Sequence, residues 1–131
     1  MEDLLAHAAG LGLRVKFRDL GRRHGELHSS GLVVVNSERP VKAQRITLAH
    51  ECGHRAHGHD WTNEHDRPRD ERQANTYAAR LLISREDYAL AERAVGAHAG
   101  ALARELNVTA TLVELWRADY LREVGVVRLV G

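Results

Sequence analysis

The residues best equipped for chemistry lie together in Leu48-Ala49-His50-Glu51-Cys52-Gly53-His54, which has the spacing H-E-x-x-H. Successive residues on a helix advance by about 100°, so His50 and His54 sit roughly 40° apart on one face. Glu51 falls on the flank of that face. Two neutral imidazole nitrogens so placed suit a zinc ion, and a catalytic zinc keeps one position open for water or substrate. Water on such an ion gives up a proton near neutral pH, and Glu51 is the base placed to take it. The bland alternative is a solvated helix face in a chain with nine histidines. The apolar turn ahead of the motif (Ile46, Leu48, Ala49) and the small Gly53 inside it argue against that.

A catalytic zinc needs a third protein ligand, and Glu71 is the candidate. It opens a helical run through Leu82 in which Glu71, Ala74, Asn75 and Ala78 share one face. A short carboxylate reaches a metal held by a neighbouring helix only if the backbones come close, and alanines one and two turns along permit this. His50, His54 and Glu71 then form the His₂Glu set of zinc hydrolases. His57, one turn beyond the ligands, is a candidate to orient them, as are Asn75 and Tyr77. His59 and His65 read as loop residues, and His24 and His28 as surface histidines. Tyr77 and the histidines of residues 24–28 are the candidates to stabilise an oxyanion. Cys52 lies about 160° from His54 around the helix and reads as a small buried thiol.

These stretches carry a family resemblance. Val33-Val34-Val35-Asn36, then Arg45 to His54, then Glu71-x-x-Ala74-Asn75-x-Tyr77-Ala78-x-x-Leu81-Leu82 resemble the ImmA/IrrE family of zinc metallopeptidases over about residues 30–120. The resemblance implies zinc bound by His50, His54 and Glu71, with Glu51 as catalytic base. It also implies a substrate, a helix-turn-helix transcriptional repressor whose cleavage derepresses phage, mobile-element or stress genes. The chain departs from the family pattern at Tyr77, where Phe is more usual, and in lacking a proline after Leu81-Leu82. Neither departure touches a ligand.

Other elements must position these groups. Residues 2–10 read as a short helix stopped by Gly10. Leu13, Val15 and Phe17 alternate with Arg14, Lys16 and Arg18, the period of a half-buried strand. Residues 26–29 suggest a second strand and Leu32-Val33-Val34-Val35 a buried third. The expected sheet is small, three-stranded and mostly antiparallel, with residues 24–29 as the edge that receives an extended substrate. Pro40 suits the first turn of the metal helix, which runs to about His57. The polar segment from Gly58 to Arg69 lets the chain return, and Trp61 within it either lids the cleft or covers core. Ser84 caps a further helix. Residues 100–124 are similar to a helix-turn-helix, with Asn107 at a turn tolerating positive φ. The closing Val126 to Val130 suit a strand, core packing or a subunit contact.

The expected fold is therefore α+β: the small sheet packs on a zincin-like helix, with a helical C-terminal half, all in one minimal domain of 131 residues. Nineteen basic residues against eighteen acidic ones leave a net charge of +1, too little to favour nucleic acid or membrane. The helix from Thr109 also presents no basic residue at its start for base or phosphate contacts, so direct DNA binding is not expected. One cysteine, no signal-like amino end and no long apolar run point to a reducing cytoplasm. The reading is a zinc endopeptidase, with manganese or another divalent ion as an alternative metal. The rival is a non-catalytic DNA- or repressor-binding regulator whose metal site is structural or vestigial.

Overall fold

Three valines in a row give the chain a strand buried on both faces, and the first part of the molecule is built around it. The computed structural model describes residues 1–59 and 66–130, with side chains as far as Val124; Trp61 and His65 lie outside the described residues. The chain divides into two units, Met1–Ala78 and Ala79–Gly131. Among the described residues there are six helices and one three-stranded sheet, an α+β fold.

In the first unit β1 (Arg14–Arg18), β2 (Gly25–Leu27) and β3 (Leu32–Asn36) lie in the order β1-β3-β2. The sheet is mixed. β1 runs parallel to β3, from Arg14 opposite Leu32 to Arg18 opposite Asn36. β2 runs antiparallel to it, from Gly25 opposite Val35 to Leu27 opposite Val33. The reason lies in which strand can stand in the centre. Val33, Val34 and Val35 are almost wholly buried, whereas β1 carries Arg14, Lys16 and Arg18 and leaves Phe17 41% exposed. A charged strand belongs at an edge, so the chain crosses from β1 to the far side and β3 inserts between its two predecessors.

Asn36, fully buried at the end of β3, holds that crossing in place. Its Nδ2 donates to the carbonyls of Gly21 (3.0 Å) and Arg23 (2.8 Å), and its Oδ1 accepts from the Glu38 amide at 2.9 Å. The Arg39 guanidinium donates to the Arg22 carbonyl at 2.8 Å. A buried amide with each group satisfied is worth keeping, because an unpaired one costs about 1–3 kcal/mol.

Two helices complete the framework around the sheet. α1 (Glu2–Gly10) buries Leu4 and Ala8. α2 (Val41–His57) starts after Pro40 and stops at Gly58, whose left-handed φ of 63° ends the helix without the strain a Cβ would bring. Its buried stripe, Leu48, Ala49, Cys52 and Gly53, has the i, i+4 spacing of one helix face. Arg55 ties α2 to the end of α1 by donating to the Leu11 carbonyl at 3.2 Å. α3 (Arg67–Leu82) begins in this unit, where Ala74 and Ala78 are fully buried.

The second unit holds the end of α3 and the helices α4 (Arg85–Val95), α5 (Ala99–Leu106) and α6 (Ala110–Val130). Ser84 Oγ caps α4 by accepting from the Asp87 amide at 3.0 Å. Asn107, at φ 57°, makes the turn between α5 and α6, as its tolerance of positive φ allows. Leu102, Val108, Leu112 and Val113 form the core, and Trp116 Nε1 donates to the Ile83 carbonyl at 3.0 Å. The closing residues through Val130 continue α6 as helical backbone rather than adding a strand. No described helix is long and apolar enough to cross a membrane.

Candidate metal centre

α2 presents His50 and His54 one turn apart, and their rings meet edge to face with centroids 4.6 Å apart. Their Nε2 atoms are 3.0 Å from each other. Glu71, from α3, brings one carboxylate oxygen to 3.0 Å of His50 Nε2 and the other to 3.0 Å of His54 Nε2. Ligands bound tetrahedrally at the usual zinc distances stand about 3.3 Å apart. These three donors are thus gathered as closely as a small divalent ion requires, and together they could hold one.

What lets Glu71 reach this far is a close crossing of α2 and α3. A Cβ built on Gly53 would lie 2.7 Å from both Cα and O of Ala74. The alanines supply one side of the approach and Gly53 supplies the other.

The ligands are held from behind. His50 Nδ1 lies 2.8 Å from Asn75 Oδ1, an acceptor for an Nδ1 proton, the state in which Nε2 is free to bind a metal. His54 Nδ1 lies 2.9 Å from Nδ1 of His59. The His59 ring is only 6% exposed, and its Nε2 is 2.7 Å from Gln73 Oε1 and 3.5 Å from Asp70 Oδ1. His57 stacks on His59, centroids 5.2 Å apart at 10°, and meets the Tyr77 ring edge to face at 6.2 Å. The Tyr77 hydroxyl is 2.5 Å from His7 Nε2 on α1.

A cavity of about 210 Å³ opens over the donors, walled by Leu27, Glu51, His59, Arg67 and Asp70. A second, of about 380 Å³, shares His50 and Glu51 and is walled by Arg23, His24, Gly25, Thr47 and Asn75. His28 is turned to Glu26, its Nε2 3.1 Å from a carboxylate oxygen. Burial, and secondarily the charge of Glu71, pushes the Glu51 carboxyl up to about 7. A group titrating there can both take and return a proton at neutral pH. His54 is held below its usual 6.5, by burial first and His50 next, against the opposing pull of Glu71. Both effects favour uncharged imidazole, the form that binds metal. Burial and then Glu51 push the Cys52 thiol up to about 11, so it packs as a small apolar group.

Sequence reasoning passed over His59, Asp70 and Gln73. The signal available was on α3: Asp70 and Gln73 lie three apart, on the stripe beside the one bearing Glu71 and Asn75.

Two imidazoles and a carboxylate around one point, with a second carboxyl beside them, make a candidate metal centre with the donor set of zinc hydrolases. The model of the peptidase M78 family, the IrrE N-terminal-like domain, matches residues 8–115, and the chain belongs to that family. No curated protein matches the chain significantly.

Proposed function

We propose that the protein is a zinc-dependent endopeptidase that cleaves a helix-turn-helix transcriptional repressor in the cytoplasm and so relieves repression. The observation that carries the catalytic part is the meeting of His50 Nε2, His54 Nε2 and the Glu71 carboxylate at 3.0 Å, with Glu51 on the same wall. Zinc bound there would supply a Lewis acid for the scissile carbonyl and a water acidified toward neutral pH. Glu51 takes the proton of the attacking water and passes it to the leaving amine, a role its carboxyl near 7 supports. The family supports a peptidase and the donor set supports zinc. The repressor follows from the family resemblance, and the compartment from the single cysteine.

The substrate lies along β2. Asn36 N donates to His24 O and His28 N to Leu32 O, so β2 alternates toward β3 at residues 24, 26 and 28. Gly25 and Leu27 then turn their amide groups to the outer edge. Gly25 walls one cavity and Leu27 the other. An extended peptide adding to this edge passes directly over Glu51 and the donors.

The test is a comparison of protein termini generated in an extract by the zinc-loaded protein and by Glu51→Gln. New termini within a helix-turn-helix repressor, made by the unmodified protein only, are expected. Equal cleavage by both, or none by either with zinc bound, refutes the proposal; the second result points to a regulator that binds without cutting.

A further inference from the structure

We infer that His59 is a positioning residue that sets the tautomer of the ligand His54, through a chain running from Gln73 and Asp70 to His59 to His54. The inference rests on the metal reading above. The proton positions follow from the far end. His59 Nε2 faces two acceptors, Gln73 Oε1 at 2.7 Å and the buried Asp70 carboxylate at 3.5 Å. The Gln73 oxygen accepts a proton from that nitrogen, and the carboxylate beyond it favours a proton on the same side of the ring. In the neutral ring Nδ1 is then a bare acceptor. It lies 2.9 Å from His54 Nδ1, and two lone pairs at that distance would repel. With a cation shared by His54 Nε2, His50 Nε2 and the Glu71 carboxylate, which lie 3.0 Å apart, His54 keeps its proton on Nδ1 and donates it to His59.

The two histidine ligands reach the same state by different routes. His50 is set directly by an amide oxygen of α3. For His54 an imidazole is interposed, and the backbone delivers it. The left-handed turn at Gly58 folds the chain back so that the His59 amide donates to the His54 carbonyl at 3.1 Å. His57 then clamps the His59 ring from one side by stacking. His59 itself is not a ligand, because neither of its ring nitrogens faces the cluster.

Three measurements on the full chain decide this. In the zinc-free and zinc-loaded protein alike, ¹⁵N shifts of the His59 ring should show its proton on Nε2 and a bare Nδ1; a proton on Nδ1 overturns the inference without any variant. Zinc affinity, read by competition with a chromophoric chelator, should fall about 10- to 100-fold in His59→Phe. His59→Gln, whose amide oxygen can accept from His54 Nδ1, should recover most of that loss. Unchanged affinity in His59→Phe with an unchanged His54 tautomer overturns the inference, as does a loss in which Gln is no better than Phe. Failure of the unmodified protein to take up zinc refutes the metal reading, while the ¹⁵N measurement still decides the chain of hydrogen bonds.

Discussion

Replacing Glu51 by Gln should stabilise the metal-free protein at pH 8 and leave it almost unchanged at pH 4. The cause is the carboxyl's environment. Burial and the nearby Glu71 raise it from 4.5 to about 7 in the folded state, whereas in the unfolded chain it keeps its ordinary value. Below pH 4.5 both states hold the proton and Glu51 behaves as a neutral group. Between 4.5 and 7 the folded state holds a proton the unfolded state has released, so stability falls as pH rises through this window. Above 7 the loss is complete. At about 1.4 kcal/mol for each tenfold change in proton affinity, the rise from 4.5 to about 7 amounts to about 3 kcal/mol. Gln carries no charge to desolvate and escapes that loss. The assay is urea unfolding in the presence of a chelator, from pH 4 to pH 8, for both proteins, with the ¹³C shift of the Glu51 carboxyl titrated alongside. A difference between the proteins that opens across pH 4.5 to 7 is expected. A carboxyl midpoint near 4.5, with parallel stability curves, would refute the reasoning.

Further expectations follow from the same geometry. Elemental analysis should find about one zinc per chain in the unmodified protein and none in His54→Ala or Glu71→Ala, since each removes one of three donors; retained metal in both variants would reject the donor set. Gly53→Ala should cost about 1–3 kcal/mol by overpacking against Ala74 and should weaken zinc binding, measured by thermal unfolding and chelator competition. Leu27→Pro removes an amide at the outer edge of β2 while sparing the ladder to β3. It should therefore keep the fold and zinc but lose cleavage, where Leu27→Ala loses much less; full cleavage by Leu27→Pro would dismiss the edge as the substrate site.

The parts of this site readable from sequence are those that local periodicity determines. His50, Glu51 and His54 share a helix face because of their spacing, and Glu71, Ala74 and Asn75 share another for the same reason. The end of α2 at His57 was legible because Gly58 is a helix stop with a mechanism. The strand order was not legible, since which strand stands in the middle depends on burial summed over all three. The part played by Asn36 followed from that order, because only a central strand meets the crossing turn. His59 was missed because it lies past the helix, where no period applies. It reaches His54 only after the left-handed turn folds it back. The sequence offers Tyr77 as a candidate to orient the ligands or stabilise an oxyanion, and does not show that its hydroxyl meets His7, a partner far away in sequence.

The contact at Gly53 bears on how this chain could ever change. A clash between two side chains can be relieved by a second substitution that shrinks the partner. Here the atoms met by any added methyl are Ala74 Cα, C and O, which every amino acid possesses. Trimming Ala74 to Gly would therefore rescue nothing. A genetic screen for suppressors of Gly53→Ala should return no compensating residue at position 74, only true revertants or changes that move α3 as a whole. Along any mutational path that preserves the metal centre, position 53 is closed to side chains.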